Sequence, residues 1–246
     1  MSALSDPPRT NLRTLFAPKD GNTEAQYEDA SACTPTDLPV FTVAVADGAS
    51  SAVYARDWAQ RLVGHFTEHP FPVGDADVWR AVALEGAAWL RSVEERATTW
   101  HAQEKIENGS EATLLVVTFD RERLLWEARS IGDNCVFLVR RNKLRYAFPL
   151  TKSTKFDDRP PLVSTRAGQM RKLPPVVRYS EKFESGDRFL FMTDALASWF
   201  LAEFEAKRKP WNQLPETPEA FRTFLKTERD AGRLKNDDVT LIDLLV

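Results

Sequence analysis

Three aspartates stand where apolar segments of the sequence end or begin. Asp47 ends FTVAVAD, Asp194 ends RFLFMTD, and Asp237 opens DDVTLIDLLV. In an antiparallel sheet the end of one strand lies at the same edge as the start of its neighbour, so these carboxylates can converge. Glu28 and Asp29 open the segment before FTVAVAD, and a hairpin would bring them beside Asp47. The pattern therefore predicts a carboxylate cluster at one edge of a sheet.

A carboxylate cluster needs a counter-charge, because like charges that lie close together raise one another's pKa values. Oxygen ligands without clustered His or Cys favour a hard divalent cation, Mn(II) or Mg(II). Each acid alone also has a purely structural explanation. Asp47 and Gly48 can form a turn, Asp194 can cap a helix, and residues 236–238 can form a surface turn. It is the joint placement of the acids that indicates a metal site.

The spacing of apolar residues predicts the elements that would position these acids. Strands are predicted at residues 11–18, 28–33, 41–46, 112–119, 124–131, 135–139, 144–148, 188–192 and 239–245. Helices are predicted at residues 50–68, 76–104, 195–206 and 218–230. Paired helices between groups of antiparallel strands indicate an α+β layered sandwich.

Length and composition limit the remaining possibilities. The 246 residues fit one domain, which we place at residues 11–246 after a disordered Ser/Pro-rich segment at 1–10. Residues 151–178 are rich in Pro, Lys and Arg and predict an irregular, flap-like segment. The net charge of −3 and the dispersed basic residues argue against nucleic-acid binding. Without a signal peptide or an apolar run of roughly 20 residues, we expect a cytoplasmic protein that does not enter membranes.

Five short motifs, in this order, carry a family resemblance. They are YEDA at 27–30, VAVADGAS at 43–50, IGDNCVFLVRRNKL at 131–144, MTDALA at 192–197 and NDDVTLI at 236–242. Together they resemble the type-2C (PPM) metal-dependent protein serine/threonine phosphatases of bacterial type. Each motif is weak alone, but their order and spacing extend over nearly the whole chain after residue 20.

This resemblance implies a four-layer sandwich, in which two antiparallel β-sheets are flanked by α-helices and two Mn(II) or Mg(II) ions lie at the sandwich edge. A water that bridges the two ions would attack phosphorus in line. The implied metal ligands are Glu28, Asp47, Gly48 through its backbone carbonyl, Asp194 and Asp237. Asp47 resembles the bridging carboxylate and Asp29 an acceptor that orients metal-bound water, so these two are the implied catalytic residues. Asp133 matches a signature with a structural role and is left outside the implied site.

The chain also departs from the family pattern. Family members often carry an Arg four residues before the metal-binding Glu, where it would hold the substrate phosphate, but this chain has Glu24 there. Arg13, Lys19 and Arg56 are the candidates to replace it. Some relatives have a His after the Asp-Gly pair as a general acid, whereas Ala49 follows here. The usual Asp-Asn pair is Asp237-Asp238 in this chain, which adds negative charge near the site.

Three functions remain open from the sequence. The favoured one is hydrolysis of phosphoserine and phosphothreonine on proteins by a monomer, with a Ser/Thr kinase or its target as a candidate partner. The second is a catalytically reduced regulator that binds a phosphoprotein or kinase, which the departures at Glu24 and Ala49 favour. The third is an interaction domain with no metal requirement. A third metal position, seen in many relatives, has no match here, with Glu107 and Glu111 only nearby.

Overall fold

The described part of the chain comprises residues 11–50, 52, 54–94, 106, 108–157 and 159–246 of a computed structural model. Its strands are β1 (Asn11–Ala17), β2 (Ala30–Cys33), β3 (Val40–Ala46), β4 (Glu111–Ala112), β5 (Leu114–Asp120), β6 (Leu125–Ile131), β7 (Cys135–Arg140), β8 (Lys143–Phe148), β9 (Val163–Ser164), β10 (Val177–Lys182), β11 (Arg188–Met192) and β12 (Val239–Leu245). Its α-helices are α1 (Ala55–Glu68), α2 (Asp75–Glu94), α3 (Asp194–Glu205) and α4 (Pro218–Asp230). The disordered segment predicted at 1–10 and the predicted helical residues 95–104 lie outside the described residues.

Two antiparallel sheets of five strands each form the centre of the fold. The first sheet has the order β1-β12-β11-β7-β8, and the second has the order β10-β6-β5-β3-β2. Apolar side chains from both sheets pack between them, for example Phe119 against Phe189 with ring centroids 4.8 Å apart. Helices α1 and α2 cover the outer face of the second sheet, and α3 and α4 cover the outer face of the first. The predicted α+β four-layer sandwich is thereby confirmed.

The helices bury the faces that their sequences predict. In α1 the stripe of Trp58, Leu62 and Phe66 is buried against the second sheet, as its helical spacing requires. The helix begins at Ala55, later than predicted, because turns precede it. The N–H of Ala52 bonds to the Ala49 carbonyl at 2.8 Å, and Tyr54 has a left-handed backbone with a φ of 51°. Within the described residues, no helix combines the length and apolar character needed to cross a membrane.

The segment at 151–178 is only partly irregular. It contains single turns of 3-10 helix at Ser153–Lys155 and Ala167–Gln169, and β9 pairs there with β4. Strand β10, which begins at the end of this segment and pairs with β6, is not among the strands predicted from the sequence. β10 is an edge strand with mostly exposed residues, so it lacks the apolar alternation by which a strand is recognised. The flap-like role and the boundaries of a single domain at 11–246 stay predictions.

A buried carboxylate connects three neighbouring strands of the first sheet, β1, β12 and β11. Asp243 of β12 accepts hydrogen bonds from Arg188 at 2.8 and 2.9 Å and from Arg13 at 2.5 Å. Burial alone would raise the pKa of Asp243, but the bonds from Arg188 and Arg13 outweigh it and lower that pKa below its ordinary 3.8. This carboxylate therefore joins β1, β11 and β12 through charge as well as through the sheet ladder.

We expect Asp243→Asn to lower the free energy of unfolding by about 2–4 kcal/mol at pH 7, because two guanidinium groups lose their charged partner. Because the folded pKa is lowered, this contribution is present above the unfolded pKa and is lost as pH falls. The difference from the wild type should therefore shrink below about pH 4. Urea denaturation at pH 7 and below about pH 4 measures this difference in unfolding free energy. Asp77→Asn, on the exposed face of α2, is the control. Equal stability of the wild type and Asp243→Asn at pH 7 would show that this carboxylate does not stabilise the sheet.

Candidate metal and catalytic site

Asp194 and Asp237 meet where β11 ends and β12 begins. The N–H of Thr240 donates to the Thr193 hydroxyl at 2.9 Å, and the N–H of Thr193 donates to the Thr240 carbonyl at 3.3 Å. These bonds fix the start of α3 against the start of β12. Lys235 Nζ then lies 2.9 Å from Asp237 Oδ2 and 3.6 Å from Asp194 Oδ2. The structure thus brings two predicted ligands around one cation.

Asp47 follows β3 and is held through its backbone. Its carbonyl accepts from the N–H of Thr113 at 2.8 Å, and its own N–H donates to the Thr113 hydroxyl at 3.1 Å. Gly132 packs on Thr113, where a Cβ would lie only 2.6 Å from that side chain. A Cβ on Gly48 would lie 2.7 Å from the Glu28 carbonyl, so glycine permits the close approach of these two backbones.

Asp238 ties two further segments to the site. One of its carboxylate oxygens accepts from the N–H of Glu28 at 2.7 Å, and the other accepts from the N–H of Lys19 at 2.8 Å. Lys19 Nζ consequently lies 3.9 Å from Glu28 Oε2 and donates to Ser50 Oγ at 3.1 Å. Two separate carboxylate oxygens accept these bonds, whereas an Asn side chain has one acceptor oxygen and would turn its NH2 group toward one of the two N–H groups. The additional negative charge at this position therefore has a structural reason.

Asp29 is buried beside these residues, with 2% of its surface exposed. One oxygen accepts from the Thr240 hydroxyl at 2.8 Å and from the Tyr27 hydroxyl at 3.4 Å. The other oxygen has no hydrogen-bond partner among the described residues. Burial raises the pKa of Asp29 to about 8, and the charges of Asp238 and Asp194 add to the effect, although the Thr240 bond opposes it. Asp29 thus has an acceptor site to spare and lacks a positive partner.

Asp133 is a further acid of this site, which the sequence analysis left outside. It is 4% exposed, and neither carboxylate oxygen has a hydrogen-bond partner among the described residues. Burial, followed by the charge of Asp194, raises its pKa to about 7. The available signal was its position between two apolar strands, β6 and β7, but the sequence GDN is also an ordinary turn.

The acids act on one another electrostatically. The pKa of Asp47 is raised, first by burial and then by the charges of Asp29, Asp194 and Asp237. The pKa of Asp194 is also raised by burial, against the influence of Lys235. Four of the five predicted acidic residues therefore lie within one electrostatic cluster. Glu28 joins it through the backbone contacts of Asp238 and Gly48.

The donor chemistry of this cluster fits hard divalent cations. Its acids offer only oxygen, and Asp29 and Asp133 have buried oxygens without partners. Within the described ranges, however, no three His, Cys, Asp or Glu side chains are close enough together to hold a metal. The residues therefore supply appropriate ligand atoms, but no three of the described side chains lie close enough together to bind one metal ion.

The remaining candidates from the sequence lie elsewhere. Glu24 is exposed, with a carboxylate oxygen 3.5 Å from Arg222 and a carbonyl that accepts from Arg56 at 3.0 Å. Arg13 is engaged by Asp243. Of the three basic residues proposed to bind phosphate, Lys19 is the one whose cation contacts a predicted metal ligand. Glu107 lies outside the described residues, and Glu111 belongs to β4.

Solved structures similar to this chain include phosphatases. The photosystem II phosphatase PBCP is 15% identical with a TM-score of 0.61, and the match covers 97% of this chain and 99% of that one. A serine/threonine phosphatase from S. agalactiae is 12% identical with a TM-score of 0.61, at 97% and 100% coverage. The catalytic domain of PstP, solved with two manganese ions, is 18% identical with a TM-score of 0.58, at 96% and 99% coverage. No protein-family profile and no curated protein sequence matches this chain.

At these identities the similarity establishes the fold. This chain has the fold of the bacterial-type PPM serine/threonine phosphatases, as the motifs predicted. Divalent metal ions are present in two of the structures that share it, PstP with manganese and RsbX with magnesium. The roles of Glu28, Asp29, Asp47, Gly48, Asp194 and Asp237 stay predictions.

Without metal, the protein should lose stability as pH rises from 5 to 8. The folded pKa of Asp29 is raised to about 8 from 3.8, so the unfolded chain releases this proton first. Its stabilising contribution is then lost as pH approaches the folded value, with a slope of up to about 1.4 kcal/mol per pH unit. Denaturation in EDTA across this range measures the slope.

Asp29→Asn should flatten that slope, since an amide does not titrate, whereas Asp77→Asn should leave it unchanged. A wild-type protein whose metal-free stability increases steadily from pH 5 to 8 would show that the buried acids are not protonated in the folded state.

Proposed function

We propose that this protein is a metal-dependent phosphatase that hydrolyses phosphoserine and phosphothreonine on proteins. The observation that carries the proposal is the buried acidic cluster of Asp29, Asp47, Asp194 and Asp237, at one edge of a sandwich whose structural relatives are phosphatases. A cluster of this kind is costly for folding, which supports a role in binding cations. Manganese or magnesium is the cofactor that its oxygen ligands favour.

The chain's own residues have distinct parts in this proposal. Asp47, Asp194 and Asp237 would hold the cations, with Glu28 and the Gly48 carbonyl on the other side of the site. When bound, such cations activate water for attack on phosphorus and offset the negative charge of the phosphoryl oxygens. The free oxygen of Asp29 would accept a hydrogen bond from that water and so orient it.

Hydrolysis of p-nitrophenyl phosphate tests the proposal. We expect wild-type activity with Mn(II) or Mg(II) and none in EDTA. Asp47→Asn and Asp194→Asn should each lower kcat/KM by about a hundredfold or more, because loss of a metal ligand removes several kcal/mol of transition-state stabilisation. The control Asp77→Asn removes a carboxylate from the exposed face of α2 and should behave like the wild type.

Activity in EDTA, or full activity in either site variant, would refute the metal mechanism. Inactivity with saturable Mn(II) binding would instead support the catalytically reduced regulator. The departures at Glu24 and Ala49 favour this second function. A phosphoserine or phosphothreonine peptide, assayed for phosphate release, then tests the substrate class.

We assign the substrate phosphate contact to Lys19. Asp238 fixes the Lys19 backbone next to that of Glu28, and the Lys19 ammonium lies on the same side of the site as the Glu28 carboxylate. Lys19 would thus supply the positive charge that relatives place at the position of Glu24. Its long ion pair of 3.9 Å leaves donor capacity for a phosphate oxygen.

Lys19→Ala should lower kcat/KM by about tenfold to a hundredfold, the value of a charge-assisted hydrogen bond to the substrate. We expect most of the loss in KM, with Mn(II) affinity close to that of the wild type. Arg56→Ala provides the comparison, since Arg56 bonds to the exposed Glu24 backbone instead. If Arg56→Ala raises KM and Lys19→Ala does not, the assignment is wrong.

A further inference from the structure

Lys235 contributes a positive charge beside Asp194 and Asp237 of the acidic cluster. Its ammonium lies 2.9 Å from Asp237 Oδ2 and 3.6 Å from Asp194 Oδ2, and its charge also lowers the pKa of Asp133. Two of these three acids are proposed metal ligands. The cation therefore occupies the region between the carboxylates that a metal would have to bind.

The backbone around Lys235 is firmly held. Arg229 of α4 donates to the Asp237 carbonyl at 2.6 Å and to Asp20 Oδ1 at 2.8 Å. Asn236 Oδ1 accepts from the N–H of Asp20 at 2.7 Å. These bonds fix the turn between α4 and β12 against the chain that follows β1. The position from which the lysine approaches the acids is therefore set by the fold.

The Lys235 side chain, in contrast, can leave. It is 56% exposed, so its four-carbon stem has access to solvent on one side of the cluster. An ammonium group and a divalent cation cannot both occupy the space between the same carboxylates, because they repel each other and compete for the same oxygens.

We propose that Lys235 is a built-in competitor of the metal, which neutralises Asp194 and Asp237 in the metal-free protein and must move away when a divalent cation binds. This inference rests on the metal site of the proposed function. It makes Lys235 a residue that sets the metal concentration at which the site fills. The same ion pairs stabilise the metal-free protein. They therefore raise its stability and lower its affinity for the metal.

Isothermal titration calorimetry of the full chain with Mn(II) tests the inference. Lys235→Gln removes the charge and keeps a side chain of similar length, and it should bind Mn(II) about threefold to tenfold more tightly, as expected for loss of partly exposed ion pairs. Lys235→Arg retains the charge and should bind like the wild type. The control Lys226→Gln removes an exposed lysine that pairs with Asp230 on α4, and should also leave the affinity unchanged.

Thermal melts in EDTA provide a second measurement. Lys235→Gln should melt at a lower temperature than the wild type without metal, and its melting temperature should rise further on addition of Mn(II). The metal-free difference in melting temperature between the wild type and Lys235→Gln should diminish at high salt, because salt screens partly exposed ion pairs.

The outcomes separate this inference from the proposed function. Equal or weaker Mn(II) affinity in Lys235→Gln overturns the inference, as does a wild-type protein without saturable Mn(II) binding. Unchanged affinity with a raised KM would show that Lys235 contacts substrate instead. Tighter Mn(II) binding in a protein without phosphatase activity would support the competition and refute the proposed function.

Discussion

The repulsion among buried carboxylates is the constraint on which the rest of this structure depends. The pKa values of Asp29, Asp47, Asp133 and Asp194 are all raised, with burial as the largest cause in each case. A folded chain can tolerate such a group through bound protons, through a lysine, or through a metal ion. These three kinds of counter-charge exclude one another at the same oxygens. Stability and pH are therefore coupled through one cluster, and the proposed metal binding would be coupled to both.

The sandwich supplies the rigidity that holds these acids together. Buried strands β3 and β11 end at the site, and β12 begins there, so each acid is attached to a packed element. Short bonds then join the elements, between Thr193 and Thr240 and between Thr113 and Asp47. An acid on a flexible loop could move away from its neighbours and regain water. Here the backbone contacts oppose that movement, so the repulsion among the acids must be offset by protons or by cations.

The sequence predicted the parts of the site that depend on apolar strands. Asp47 and Asp194 follow runs that are apolar on both faces, and such runs have few alternatives to buried strands. Edge strand β10 lacked that signal because its side chains are mostly exposed. Asp133 was left outside the site because it matches a family signature whose implied role is structural, and its GDN turn does not show what it packs against. Lys235 contacts Asp194, which lies more than 40 positions away in the sequence, and no local pattern predicts that contact.

The departures from the family pattern are connected through Asp238. An acid at this position accepts one backbone N–H group on each of its two oxygens, whereas an amide has one oxygen and an NH2 group. The acid thereby holds the Lys19 backbone beside that of Glu28. The same acid adds to the negative charge around Asp29. That added charge increases the need for nearby cations, and Lys19 and Lys235 both lie at the cluster. Glu24 and Asp238 both differ from the pattern that the resemblance implies, and both differences concern the charge around this site, where Lys19 and Lys235 lie beside the acids.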